Sequence, residues 1–161
     1  MPRVTVALFQ GPGLVSRLIR WQTRSAYSHA AIVLPSGAVI ESREGIGVRQ
    51  LPHLEPKNGE QIDFFAVEVT EEQLAKITAF LHRQLNKGYD WTMVARFITR
   101  RQESRASRGR WFCSELVFAA FLHAGVILLR GTEPWEVSPG LLARSPLLIA
   151  EADVIPFPAI A

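Results

Sequence analysis

The chain has 161 residues, a length that suits a single domain. Apolar residues make up 48% and charged residues only 20%, which excludes global disorder and the collagen-like and coiled-coil classes. Cys113 is the sole cysteine, so the chain forms no internal disulfide and no zinc site made of cysteines alone. This cysteine usage fits a reducing compartment, and a net charge of +3 is weak evidence for a polyanionic partner.

Two features of the sequence bear on the compartment. Residues 1–6 lack the apolar core and the small-residue cleavage site of a signal peptide. The longest strongly apolar stretch, 117–129, contains His123 and Gly125 and is too short to span a bilayer. We therefore expect a cytoplasmic protein.

Turn residues divide the first half of the chain into short apolar segments. Residues 4–9 are rich in β-formers and predict a strand, which Gly11-Pro12-Gly13 ends. Apolar residues recur at helical spacing over 14–21, which predicts a helix with three arginines on its wetter side. Segments 29–34, 38–41 and 48–51 are separated by glycine-containing turns, which predicts an antiparallel meander, and 62–69 predicts a further strand.

The second half is predicted to be mostly helical. Thr70 and Gln73 form a capping box at the start of a helix that we expect to end at Gly88. Further helices are predicted over 91–100, over 112–124 with Gly125 as the cap, and from Ser138 onwards, with a loop over 102–110 and an irregular tail. The segregated strands and helices predict one α+β domain over 1–161, with a core over about 4–125 and a C-terminal extension over 126–161.

Cys113 stands at the start of a predicted apolar helix. The unpaired amides and the dipole at a helix N-terminus stabilise an anion, and the thiolate is the nucleophilic form of cysteine. The same amides can stabilise an oxyanion that develops during attack on a carbonyl. Cys113 is therefore a candidate nucleophile, and the alternative interpretation is a buried structural cysteine.

His29 and Glu41 are the candidate partners of this thiol. A thiol nucleophile needs an imidazole that forms the thiolate–imidazolium pair and later protonates the leaving group. His29 begins one predicted strand and Glu41 ends the next, so a tight turn can bring them side by side, with the carboxylate orienting the imidazole. Taken alone, each has a plainer interpretation as a strand-edge or solvent-facing residue, and Glu44 competes with Glu41.

These segments together resemble the circularly permuted NlpC/P60 superfamily of papain-like thiol hydrolases, and in particular its YiiX/YebB-like branch. The resemblance rests on SHAAIV at 28–33, VIE at 39–41, GV at 47–48 and FCSELV at 112–117. In ordinary NlpC/P60 domains the cysteine helix comes before the histidine strands. Here the histidine strands come first, as in the permuted members, which also include lecithin:retinol acyltransferase-like enzymes. The resemblance covers roughly 4–125.

The resemblance implies a small antiparallel sheet packed against helices, with the catalytic cysteine at a helix N-terminus. It implies Cys113 as nucleophile, His29 as base and Glu41 as the third polar residue. Tyr89 matches the family's tyrosine-containing segment and is implied as an oxyanion or orienting residue, although the segment from Tyr89 to Cys113 is longer than in the family. The implied activity is hydrolysis or acyl transfer at an amide or ester bond, through an acyl-enzyme, with no metal or organic cofactor. The implied substrates are small-molecule or peptide amides, or lipid acyl groups.

Two further questions stay open at this stage. The alternative to an enzyme is a module that binds a small amine or peptide on the same fold without turnover. The arginine-rich stretch is a solvated loop, a lid, or a weak contact for anionic surfaces, and we expect no nucleic-acid binding because the loop lacks stacking aromatics. Its members are Arg96, Arg100, Arg101, Arg105, Arg108 and Arg110.

Overall fold

A computed structural model describes residues 1–99 and 109–151, with the side chains of 1–95 and 109–151. Its main element is a six-stranded sheet made of β1 (Arg3–Gln10), β2 (His29–Val33), β3 (Val39–Arg43), β4 (Gly47–Leu51), β5 (Gln61–Glu68) and β8 (Ile149–Ala150). The strands lie in the order β4-β3-β2-β1-β5-β8, and every pair of neighbours is antiparallel. The predicted meander is confirmed as β2-β3-β4.

Five α-helices accompany the sheet in the part of the chain that the structure describes. They are α1 (Leu14–Thr23), α2 (Glu71–Gln84), α3 (Trp91–Thr99), α4 (Cys113–His123) and α5 (Pro139–Leu142). Two short strands, β6 (Gly88–Tyr89) and β7 (Arg110–Trp111), pair in parallel as a separate two-stranded sheet. This mixture of one antiparallel sheet and packed helices confirms the predicted α+β class.

The core lies between one face of the sheet and helices α2 and α4. Alternate residues of the strands point toward the helices, so Val6, Leu8 and Ile32 are fully buried there. Helix α4 is buried on all sides from Cys113 to Phe121, as is typical of a helix at the centre of a domain, and it packs against α2, β2 and β3. In the described part of the chain, no helix combines the length and apolarity needed to cross a bilayer.

Local signals set most of the helix boundaries as predicted. Thr70 Oγ1 accepts from the Gln73 amide at 3.1 Å while Gln73 Oε1 accepts from the Thr70 amide at 2.9 Å, which confirms the capping box. The predicted end of this helix at Gly88 is wrong. The helix stops at Gln84 because the chain turns through Asn86, whose φ is 68°, and Gly88 then enters β6.

The second half departs from prediction at two further points. Arg110 belongs to β7 rather than to a loop, and Ile149 and Ala150 add a sixth strand to the sheet. Two-residue strands carry too few side chains to show an alternating pattern, so the sequence did not reveal them. The predicted loop over 102–108 and the tail over 152–161 lie outside the described residues.

Candidate active site

Cys113 is the first residue of α4 and is only 1% exposed. The residues after it fix the helix start. Glu115 Oε2 accepts from the Phe112 amide at 3.2 Å, and Ser114 Oγ donates to the Val137 carbonyl at 2.6 Å. Ser114 and Glu115 thus hold the helix in place, and Cys113 stands at its N-terminus, where the sequence predicted a nucleophile.

His29 lies at the start of β2, with its side chain 14% exposed. Its Nε2–H donates to Glu41 Oε2 at 2.6 Å, and its ring also hydrogen-bonds the Cys113 thiol. Because Nε2 is engaged by the carboxylate, Nδ1 is the ring nitrogen left to interact with the thiol. Phe9, the cross-strand partner of His29, packs edge-on against the imidazole with ring centroids 5.0 Å apart and so limits its rotation.

Glu41 is buried, with its side chain 2% exposed, and both carboxylate oxygens are fully engaged. Oε2 accepts from His29 and from Arg43 Nη1 at 3.3 Å, while Oε1 accepts from Arg49 Nε at 3.0 Å and Nη2 at 2.8 Å. Burial on its own would raise the pKa of Glu41. The hydrogen bond and charge of His29 and the two guanidinium groups outweigh it and lower the pKa to about 2. Glu41 is therefore a carboxylate across the physiological range.

The pKa of His29 is set by two opposing effects. Burial acts to lower it, and the hydrogen bonds and negative charges of Cys113 and Glu41 raise it, with a net rise from 6.5 to about 9. The imidazolium form is thus favoured at neutral pH and is lost as the pH rises through about 9. This is the protonation state that a thiolate–imidazolium pair requires.

Tyr89 ends β6 and packs with Phe112 and Cys113 in a small apolar cluster. Burial, followed by the negative charges of Cys113, Glu44 and Asp90, raises the pKa of the Tyr89 phenol far above its ordinary value. The hydroxyl therefore stays protonated and remains a hydrogen-bond donor at the edge of the site.

The structure brings all four predicted residues, Cys113, His29, Glu41 and Tyr89, to one place. Glu41 is the carboxylate that bonds His29, while its competitor Glu44 lines the adjacent cleft. The arginine-rich stretch is mostly outside the description: Arg100, Arg101, Arg105 and Arg108 are not described, Arg96 is described only as backbone of α3, and Arg110 is an exposed residue of β7.

Sequence reasoning missed the two arginines that hold Glu41. Arg43 follows Glu41 by two residues in β3 and so shares its face, and Arg49 is its cross-strand partner in β4. Strand periodicity combined with the hairpin register would have found both. Arg43 also pairs with the buried Glu60 at 2.9 Å, which extends the charged network to the connection between β4 and β5.

A second network joins the histidine strands to the cysteine helix. The Trp111 carbonyl, two residues before Cys113, accepts from Ser42 Oγ at 2.7 Å and from the Asp90 amide at 3.1 Å. Ser42 follows Glu41 directly, and Asp90 follows Tyr89. One carbonyl therefore fixes the spacing between the three segments that carry the site.

A cleft of about 210 Å³ opens beside His29 and Tyr89. One wall is the turn 11–13 with Ser16 and Ile19 of α1, and the other is the connection before β5, including Lys57 and Glu60. Its charged residues are of both signs. This volume is below the range of about 300–1,000 Å³ usual for drug-sized ligands, so the cleft suits a small ligand or one small group of a larger one.

Comparison with known proteins identifies the fold. No family model matches the chain, and no curated protein matches it. Among solved structures it is similar to the crystal structure of YiiX from Escherichia coli O157:H7, with a TM-score of 0.68 and 20% identity, over 96% of this chain and 98% of that one. The chain therefore has the YiiX fold, as the sequence resemblance predicted.

The YiiX structure is described as that of a metalloprotein. The described residues of this chain contain no group of three or more His, Cys, Asp or Glu side chains placed to hold a metal ion. In addition, both oxygens of Glu41 are taken up by arginine and histidine donors. These residues do not fit a metal centre at the site. The reaction proposed for the site therefore uses no metal ion.

Proposed function

We propose that this protein is a thiol hydrolase or acyltransferase that acts on an amide or ester carbonyl through Cys113, His29 and Glu41. The observation that carries the proposal is the position of one imidazole. His29 contacts both the only thiol of the chain, at a helix N-terminus, and a buried carboxylate held by two arginines. A thiol, a base and an orienting group in this order is the arrangement that nucleophilic catalysis needs.

The reaction begins with the proton of Cys113 on His29. The thiolate sulfur attacks the substrate carbonyl carbon, a C–S bond forms, and the carbonyl π electrons move to oxygen as a tetrahedral oxyanion. The Cys113 amide, at the positive end of α4, and the Tyr89 hydroxyl are the donors proposed to stabilise that oxyanion.

Collapse of the intermediate breaks the bond to the leaving group. His29 donates its proton to the leaving nitrogen or oxygen, which departs and leaves a thioester on Cys113. Water or another acceptor then attacks the thioester while His29 takes up the acceptor's proton, and the thiolate leaves. Because the first half needs the imidazolium, turnover is expected to fall as the pH rises through about 9.

The cleft narrows the substrate class without naming a substrate. A volume of about 210 Å³ with charged residues of both signs suits a small polar amide or ester group, from a peptide, an amino-acid amide or a lipid acyl compound. We propose no cofactor, because attack by a thiolate needs none.

The experiment is the pH dependence of alkylation of Cys113 by iodoacetamide, read by mass spectrometry. At pH 6.5 an unperturbed thiol would be only about 1% thiolate, so an ion-paired Cys113 is expected to react up to about 100-fold faster than the H29A variant. H82A removes an exposed histidine of α2 and serves as the matched control, with an unchanged profile.

The burial of Cys113 favours the alternative, a binding module without turnover. Burial slows alkylation at every pH alike. The midpoint of the alkylation rate against pH, rather than the absolute rate, therefore distinguishes a thiol enzyme from a binding module. An ordinary midpoint near 8.5 that H29A leaves in place would contradict the thiol enzyme and favour the binding module. With a low midpoint, amide and ester substrates are screened for an acyl adduct by intact mass, using C113S as the blank.

A further inference from the structure

Helix α1 presents an unusual outer face. Leu14 is 83% exposed and Trp21 is 73% exposed, two of the largest exposures among the apolar side chains of the described chain. At 100° per residue, Leu14, Arg17 and Trp21 fall within an arc of about 60°, and Arg24 follows at the end of the helix. Ile19, on the opposite side, is buried. We call these four residues the α1 stripe.

The α1 stripe is cationic as well as apolar. The sequence from Leu14 to Arg24 contains no acidic residue. Within 1–95 and 109–151, the ion pairs found do not involve Arg17 or Arg24, and both side chains are exposed. Two guanidinium groups thus alternate with two large apolar side chains on one open face.

We propose that the α1 stripe docks on an anionic membrane surface, with Trp21 and Leu14 in the interface and Arg17 and Arg24 on lipid headgroups. Tryptophan prefers the boundary between headgroups and acyl chains, and arginines near the surface are attracted by anionic lipids. A helix face about 15 Å long and about 10 Å wide covers roughly 150 Å², far less than the roughly 800 Å² per partner of a stable protein interface. Charge and size together therefore favour lipid over a protein partner.

Docking would leave the cleft on the side of α1 that faces away from the membrane, because Ile19, which lies opposite the stripe, lines the cleft together with Ser16 of the same helix. The proposal does not rest on the proposed catalysis, since it uses neither Cys113 nor His29. A result that contradicts membrane docking therefore leaves the proposed thiol chemistry untouched, and the reverse also holds.

The test is cosedimentation of the full chain with phosphatidylcholine vesicles, with or without about 30% phosphatidylserine. We expect at least about tenfold stronger partitioning to the anionic vesicles, weakened by added salt and reduced about tenfold or more in R17E/W21S. The matched control is I127S/R130E, which makes the same change of charge and polarity at exposed residues after α4 and is expected to bind like wild type.

Insertion of Trp21 is tested with brominated phospholipids, which quench tryptophan in contact with acyl chains. Quenching is expected in wild type and is expected to be largely lost in W21F, which keeps the other three tryptophans. Three results would overturn the proposal: equal binding to neutral vesicles, loss of binding only in R105E/R108E, or no vesicle binding. In the last case, a dimer in solution that R17E/W21S dissociates would identify the α1 stripe as a protein interface instead.

Discussion

At the scale of single residues, the charge state of His29 depends on Cys113 and Glu41, and the charge of Glu41 depends in turn on its own partners. A buried carboxyl without charged partners would take up a proton, and a neutral acid would support the imidazolium poorly. His29 itself and, after it, Arg43 and Arg49 keep Glu41 ionised. We therefore propose that the two arginines are positioning residues, which act through Glu41 on His29.

Replacement of Glu41 by glutamine tests this chain of effects. E41Q keeps the shape of the side chain but removes its charge, so we expect the pKa of His29 to fall and the alkylation of Cys113 at pH 6.5 to slow about tenfold. The rate is expected to lie between those of wild type and H29A. Alkylation over a pH series, with mass spectrometric readout, measures it.

Glu60 provides the control for E41Q. Its side chain is also buried and also pairs with Arg43, but it does not contact His29. E60Q is therefore expected to lower stability and to leave the pH profile of alkylation in place. If E60Q moved the profile as far as E41Q, a general loosening of the site would account for both, and the specific role of Glu41 would be wrong.

At the scale of elements, the site depends on the distance between β3 and the start of α4. The hydrogen bond from Ser42 Oγ to the Trp111 carbonyl joins residues 69 apart in sequence. The ladder of β2 with β3 comprises only Ile32↔Ile40 and Val33↔Val39, close to the turn and away from His29. The bond of Ser42 thus holds β3 at the end where the chemistry is proposed.

We expect S42A to lower the free energy of unfolding by about 1 kcal/mol and to slow alkylation of Cys113 several-fold at pH 6.5. Urea unfolding and the alkylation profile measure the two effects. S145A is the matched control, because Ser145 Oγ is buried and donates to the Leu128 carbonyl at 2.8 Å, away from the site. S145A is expected to cost similar stability with an unchanged profile. Equal profiles for S42A and S145A would show that Ser42 does not position the site.

At the scale of the whole molecule, sequence patterns predicted the elements that carry their own signal. Alternating or continuous apolar runs identified β1 to β5, and the capping residues Thr70 and Ser138 marked the starts of α2 and α5. These signals are local, so a single sequence suffices to recognise them. The long-range features were not predictable in this way. The sheet order places β1 between β2 and β5, and β8 joins through only two residue pairs.

The residues of the candidate site likewise divide into those with a local sequence signal and those that depend on contacts between segments. Cys113, His29, Glu41 and Tyr89 were found from local motifs and the family resemblance, and the structure brings them together. Arg43 and Arg49 were missed, although strand periodicity and the register of the β3–β4 hairpin place them around Glu41. The partner of Ser42 is different, because the approach of Trp111 depends on tertiary packing between residues 69 apart, which no local pattern encodes.

The acid stability of the whole fold tests the charged network. The pKa of Glu41 is about 2 in the folded protein and about 4.5 when unfolded, so Glu41 contributes stability above about pH 4.5 and loses it as the pH falls toward 2. The Cys113–His29 pair is a poorer probe, because a thiolate–imidazolium pair holds as many protons as a neutral thiol and imidazole. E41Q is expected to be less stable than wild type by about 3 kcal/mol near neutral pH.

This difference between E41Q and wild type is expected to stay constant from neutral pH down to about 4.5 and to shrink steadily below it. Urea unfolding at a series of pH values measures it, and subtraction removes the titration of the groups that do not interact with Glu41. E68Q is the control, because Glu68 pairs with Arg3 on the surface, where a change below about 1 kcal/mol is expected. A difference for E41Q that persists undiminished at pH 2.5 would mean that lost packing, not lost charge, destabilises the variant, and the electrostatic account of Glu41 would fail.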